Sequence, residues 1–533
     1  MARRRRRIRK ILLGILVLLL IGLLYAAWPG SSTFTVSPET TYATGPIDKE
    51  GYVDYVTAVN ERLRGNIKPE ENANVLIWQA LGPHPEGANM PAEYFEWLGA
   101  PQPSEAGEYW VSFISFLTDH LKEDFPLRRD ELYDREARAM KWPWLLEDEP
   151  QIAEWLKLNQ KPIAVIREAS RRSEYFNPLV PKGRTEEWTP SLLSSLLPNV
   201  QLCREVVAIL CIEAMLRLEQ GNIEGAWEDL LTSHRLSRLL QRGGTLIEML
   251  VGIATEMITV RAELTLLDKG KVTSQQTVTW WRQIQGLPPM SPVVEKLELT
   301  ERLTFLQTVM LMARYGPAFL ESLTESRGGP PPNSSGFRVR FFSHSVNYDP
   351  AFRYGNHCFD RLAVALRLPD RGERQNEIAG IIAEIKTRRT EAASPETFIK
   401  KEIWGPKFRG EKIGDILVGL LLPAFNKLVD SADRLEQTYR NLHLAFALAA
   451  YHADHHRYPE TLAELAPKFI DKIPDDLFSG QPLIYRLEGD GYLLYSVGVN
   501  GIDDGGQGYD DDPKGDDLVV RMPVPEPKLK KAP

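Results

Sequence analysis

LCIEAMLRLEQGNIEGAWEDLLTSHRLSRLL, residues 210–240, is the stretch on which the fold turns. Apolar residues recur at steps of three and four on both sides of Gln220-Gly221-Asn222, which predicts two amphipathic helices joined by a short turn. The same spacing continues outward from about Ile47 to Lys400, broken by Pro and Gly, and predicts an all-α body of about a dozen helices. At 533 residues, 43% hydrophobic and 26% charged, the chain has ordinary globular composition and exceeds a single domain.

Gly221, Ala226 and Leu230 stand where a tetratricopeptide-type hairpin has its turn glycine, its small crossing residue and its packing residue. The hairpin resembles that repeat, although the rest of the signature is missing and no echo follows at the repeat's period of about 34 residues. RGGPPPNSSG, residues 327–336, can neither continue a helix nor fill a core, so it reads as a linker between a body at 47–326 and a helical continuation at 337–412. EIWGPKFRGEK, residues 402–412, is a second break before the last domain; Glu411 stands where a phosphate loop needs Lys.

The N-terminus pairs seven cations between Arg3 and Lys10 with an apolar run from Ile11 to Trp28. As a helix that run is roughly 27 Å long, enough to cross a bilayer's hydrocarbon core. The expectation is a transmembrane anchor through residues 11–28, with the N-terminus inside and the bulk of the chain outside the bacterial cytoplasmic membrane, the lipid bilayer being its first partner. A cleaved signal peptide has the same order of regions and competes with it. Residues 29–46 follow as an extended spacer. Removing the seven cations from the formal charge of −8 leaves about −15 on the outer part, which argues against nucleic acid as a partner. Cys203, Cys211 and Cys358 form no metal or redox spacing and read as small buried hydrophobes.

Towards the C-terminus, Leu435, Tyr439, Leu442, Phe446 and Ala449 form one apolar helical stripe that ends at Tyr458-Pro459. Short strands are expected at Pro482–Arg486, Tyr492–Val497 and Asp517–Arg521, the first two joined by a Gly-Asp-Gly turn. Arg457-Tyr458-Pro459, the run Pro474-x-Asp476-x-Phe478-x-Gly480-x-Pro482-x-x-Tyr485, then Tyr495-Ser496-x-Gly498-x-Asn500-Gly501, and finally Asp517-Leu518 resemble the globular part of the major pseudopilin of type II secretion. The likeness covers residues 413–521 and implies a small α+β pilin-like domain. Here its helix starts over 400 residues into the chain, and the apolar run Ile416–Leu422 is too short to span a membrane, so fibre assembly does not carry over. Residues 522–533 read as a disordered tail.

Seven aspartates lie between Asp503 and Asp517 against one cation, Lys514. Such a loop is either solvated or bound to a cation, and calcium suits oxygen donors in loose geometry. The resemblance implies calcium ligands from Ser496, Asn500, Asp503, Asp504, Asp516 and Asp517; a solvated loop that needs no metal is the competing reading.

Elsewhere, His452, His455 and His456 read as polar helix-end residues, Glu205 and Glu213 as a solvated helix face, and Trp142, Trp144 and Trp155 as core packing. Nucleophile-elbow, dinucleotide-loop and di-iron spacings are missing from the sequence. The fold class expected is mainly α, with an N-terminal transmembrane helix, a large helical body and the C-terminal α+β module. The function expected is a scaffold or interaction protein of the bacterial envelope whose partners are other envelope proteins. An envelope hydrolase, or an accessory component of a secretion machine, is the alternative.

Overall fold

Gly221 turns the chain because it takes φ 75°, a left-handed conformation that costs a residue with a side chain about 1–2 kcal/mol. Asn222 then caps the next helix, its side chain accepting the Gly225 amide at 3.0 Å. In the computed structural model, residues 32–121, 125–183, 189–316, 319, 345–394, 405–422 and 425–527 are described. The anchor segment, the 327–336 linker and the last six residues lie outside them. No helix among the described residues is long and apolar enough to cross a membrane.

The chain divides into two compact units, each gathered from three separate stretches: Met1–Arg62, Leu179–Leu196 and Leu297–Ala424 form one, and Leu63–Pro178, Leu197–Lys296 and Phe425–Pro533 the other. This interleaving cuts across the linear order of segments read from the sequence.

The second unit is built on α1 (Ala73–Leu81), α2 (Phe125–Ala139), α3 (Gln160–Ala169), α4 (Pro198–Glu219), α5 (Ile223–Arg242), α6 (Leu246–Lys269), α7 (Ser274–Gln285) and α8 (Phe425–His455). Helices α4, α5 and α6 pack against one another, α1 lies on α3, and α8 lies on α6 and α7. Gly252 permits the close α5–α6 crossing, since a Cβ there would stand 2.5 Å from the Gln241 side chain and 2.9 Å from the Ser237 carbonyl. Capping boxes at Thr245/Glu248 and Thr273/Gln276 start α6 and α7. The buried indoles of Trp227 and Trp280 stack at 4.8 Å, joining α5 to α7. Trp144 and Trp155 are core residues as expected, their N–H groups donating to the Ile212 and Val111 carbonyls. All three cysteines are buried and free.

The stripe on α8 is buried from Leu435 to Phe446 and faces α6 and α7. Beyond it, β1 (Ile484–Glu488), β2 (Gly491–Ser496) and β3 (Leu518–Met522) form an antiparallel sheet in the order β1-β2-β3, with Ile484 opposite Tyr495 and Tyr495 opposite Val519. The Gly489-Asp490 turn makes a two-residue hairpin, helped by φ 60° at Gly489. Strands β2 and β3 rest on α8, and Asn441 donates to the Leu518 carbonyl at 2.8 Å. Two expectations are corrected here. The helix under the sheet begins at Phe425, and the apolar run from Ile416 falls in a different helix of the first unit. The tail is not free from residue 522: Met522 is buried in β3, the Val524 amide donates to Asp268 at 3.1 Å, and Glu526 pairs with Arg138 at 2.6 Å.

In the first unit, the helices Arg302–Tyr315, Asp349–Leu366, Arg371–Ala392 and Gly405–Leu421 pack together. Glycines set the crossings: Gly355 lies against the Phe305 ring, Gly410 against the Asn347 carbonyl and Gly414 against Ala351. Gly410 therefore serves packing. Asp415 is fully buried and held by Arg388 at 2.9 Å and Lys412 at 2.7 Å.

Candidate functional site

The acidic loop lies between β2 and β3, and its carboxylates are turned onto the loop's own backbone. Asp517 accepts the Gly506 amide at 2.7 Å and the Asp504 amide at 3.4 Å. Asp504 accepts the Asp516 amide at 2.8 Å and the Asn500 side chain at 3.3 Å. Asp516 accepts the Asn500 amide at 2.9 Å and pairs with Arg434 of α8. Asp503 accepts the Gly505 amide at 2.8 Å and the Tyr495 hydroxyl at 3.0 Å. The loop thus brings together Asn500, Asp504, Asp516 and Asp517.

Ser496 points elsewhere. Its hydroxyl donates to Asp476 at 2.8 Å, and the buried Asp476 also accepts the Val497 and Phe478 amides, tying the turn before β1 to the end of β2. Asp476 belonged to the motif from which the resemblance was read, and its role was missed.

The charge count within the loop also missed the cations that reach it from outside. Arg434 meets Asp516, Arg261 of α6 meets Asp510 at 2.8 Å, and Arg521 of β3 meets Asp511 at 3.0 Å. Desolvation opposes ionisation of Asp516 and Asp511, but the arginine hydrogen bonds and charges together with the backbone amides outweigh it and hold both below the usual carboxylate value. For Asp517 desolvation wins over its amide bonds, and the carboxyl is raised.

The oxygen donors suit calcium in type, yet among the described residues no group of three or more His, Cys, Asp or Glu is placed to hold a metal ion. An entering ion would displace Arg434 from Asp516 and the amides from Asp504 and Asp517.

A second cluster lies in the core, where α8 meets the hairpin helix α5. His234 sits between Glu256 at 2.5 Å and Glu263 at 3.3 Å, all three fully buried. Arg238 approaches Glu256 at 3.0 Å, and the Tyr439 hydroxyl donates to Glu256 at 2.7 Å. Desolvation alone would lower the His234 value; the two facing carboxylates outweigh it and push it up to about 10, so the ring is an imidazolium at neutral pH. A signal existed in the sequence: Glu256 and Glu263 are seven apart on α6 and share a face.

The glutamates expected on a solvated face are not there. Glu213 is buried and bridges Arg167 and Arg217, each at 2.7 Å, in a network that also takes in the fully buried Asp229. Glu205 is half-buried, accepts the Trp110 N–H at 3.3 Å and faces Glu136 of α2. Desolvation, then the Glu205 charge, push Glu136 up to about 8. One sequence showed only the polar character of these residues; which helix would cover them was not legible.

A pocket of about 170 Å³ lies between α7, α8 and the 467–471 segment, walled by Trp281 stacked on His443 at 4.4 Å. Burial pushes the His443 imidazole down to about 4, so it is neutral. Ligand sites usually enclose about 300–1,000 Å³, which leaves this one room for a side chain or a small group. His452 and His455 occupy the last turn of α8, stacked on Tyr458 and Tyr451.

No family model, curated protein or solved structure matches this chain.

Proposed function

We propose that the chain is a membrane-anchored, extracytoplasmic scaffold of the bacterial envelope, a helical body presenting a pseudopilin-like module to other envelope proteins. The observation that carries this reading is how the module is mounted. Its helix α8 is keyed into the body by the Tyr439 hydroxyl, which donates to Glu256 in the buried charge cluster that His234, Glu256 and Glu263 form on α5 and α6. Such a mount fixes the orientation of the acidic loop, Ile502 and Tyr509, whose apolar side chains are 62% and 73% exposed. The order of long helix, hairpin, loop and closing strand supports the pseudopilin kinship. Calcium at Asn500, Asp504, Asp516 and Asp517 belongs to the same proposal as a weak, displaceable ligand.

Proteinase K should degrade the body when added to intact spheroplasts and leave it untouched in inverted membrane vesicles, where it faces the lumen; a body protected in spheroplasts overturns the reading. One observation favours a second reading, an envelope hydrolase: the neighbouring carboxyls of Glu136 and Glu205, both raised by burial and Glu136 to about 8, are the kind of pair that general acid-base chemistry uses. Complementation of a deletion strain separates the two. A scaffold tolerates Glu136→Gln with Glu205→Gln, and a hydrolase loses its output.

A further inference from the structure

The pocket between α7, α8 and the 467–471 segment joins an apolar interior to a polar mouth. Phe446, Ala447 and Ile470 are each 3% exposed or less and form the apolar part. Trp281 and His443 add a wall of two rings whose planes lie 15° apart and whose centroids are 4.4 Å apart, and Phe446 meets Trp281 at 5.6 Å. Arg282, Gln285, Lys468 and Asp471 are exposed and line the mouth.

Size selects the ligand first. A cavity of about 150 Å³ takes one benzene ring, so about 170 Å³ holds one six-membered ring and little more. Charge selects next. Lys468 is taken up by Asp454 at 2.8 Å and lies 4.5 Å from the centre of the Phe469 ring. The side chains of Arg282, Gln285 and Asp471 have no hydrogen-bond or ion-pair partner among the described residues. One cation, one amide and one anion therefore remain at the mouth, donors and acceptors without a net charge. A simple anion entering there meets Asp471, and a simple cation meets Arg282. A neutral ring edged with hydroxyls meets neither penalty, because each hydroxyl both donates and accepts. A phenol ring offers one hydroxyl and uses only one of the three.

The wall selects a flat partner. Aromatic faces are negative, and ring C–H groups polarised by neighbouring oxygens present matching positive charge to them. His443 keeps the wall uncharged, since burial, opposed by the Asp471 charge, lowers its imidazole to about 4. The Trp281 N–H is closed to water and has no acceptor among the described residues, so the wall also carries an unspent donor.

We propose that this pocket is a subsite for one pyranose unit of a carbohydrate: the C–H face of the ring lies against the aromatic wall, and its hydroxyl edge reaches Arg282, Gln285 and Asp471. The subsite goes beyond the scaffold reading and does not rest on it, because the chemistry of the pocket is the same wherever the chain resides.

Saturation-transfer NMR on the full chain, kept in a detergent with no sugar head group, tests it with methyl β-glucoside, methyl β-galactoside and N-acetylglucosamine as probes. At least one should bind saturably with a dissociation constant of about 1–30 mM, the range open to a ligand of roughly a dozen non-hydrogen atoms. Trp281→Leu should weaken that binding about tenfold or more. A folding defect would mimic such a loss, so the exposed residues supply the second arm. Arg282→Ala combined with Asp471→Ala should weaken binding about fivefold or more while the melting temperature stays that of the wild type. Three results overturn the subsite: no saturable binding of any of the three sugars up to about 100 mM, unchanged binding in the double variant, or tighter binding of p-cresol, acetate or choline than of every sugar.

Discussion

Around His234, two carboxylates meet an imidazolium and a guanidinium in the buried core, whereas along Asp503–Asp517 six of the seven carboxylates meet backbone amides or arginines near the surface. Low dielectric makes the first arrangement depend on charge matching, because an ion left over in the core has nothing else to solvate it. Screening and water make the second forgiving, so it depends on glycines that turn amides inward. Gly498, at φ 69° and in contact with the Asp516 carbonyl, is one position where no side chain fits. One cluster is a stoichiometric device and the other a conformational one.

The sharpest way to break this contrast is Glu256→Gln. It leaves His234 and Arg238 charged in the core against Glu263 alone, and should lower the unfolding free energy of the full chain by about 3–5 kcal/mol in urea titration. A loss below about 1 kcal/mol would mean that water reaches the cluster and that the two regions are alike.

The pH dependence separates them by sign. His234 is raised from 6.5 to about 10, so its contribution is complete below the unfolded value and is lost as pH climbs through the folded one. Unfolding free energy should drop by on the order of 2–4 kcal/mol from about pH 7 to about pH 10. Asp511 and Asp516 are lowered from 3.8, so their stabilisation is present above that value and fails as pH falls below it. The core cluster is vulnerable to alkali and the loop to acid.

Tyr439→Phe sharpens the comparison within the core. It removes one hydroxyl from the Glu256 oxygen and costs about 1 kcal/mol without changing the charge balance. Arg434→Gln does the analogous thing at the surface, where an exposed pair contributes about 0.2–1 kcal/mol. It also frees Asp516, so calcium at millimolar levels should raise the melting temperature of Arg434→Gln more than that of the wild type. Identical calcium responses in the two proteins would show that Arg434 does not compete for the site.

Local grammar explains what was legible in the sequence. Gly221 and Asn222 announced the hairpin turn, the stripe from Leu435 to Phe446 announced the buried face of α8, and Gly489-Asp490 announced the strand hairpin, each through backbone or periodic requirements confined to a few neighbours. The strand limits differ from those expected by one or two residues. Partners distant in sequence were not legible. Arg434 lies 82 positions from Asp516, Tyr439 lies 183 from Glu256, and Glu136 precedes Glu205 by an entire set of helices. Charge counted along a loop describes what the loop contributes, while the field at a carboxylate is set by whatever the fold delivers beside it.

Because each unit is stitched from alternating stretches, the order of synthesis matters. The segment that completes the second unit, Phe425–Pro533, is made after the other two, so α6 and α7 wait with a vacant flank, and Glu256 lacks one of its donors, until Tyr439 arrives. A nascent chain in that state needs shelter from aggregation, and a recombinant piece cut at 413–521 would carry the stripe of α8 bare into solvent. Expression trials should therefore begin from the whole polypeptide.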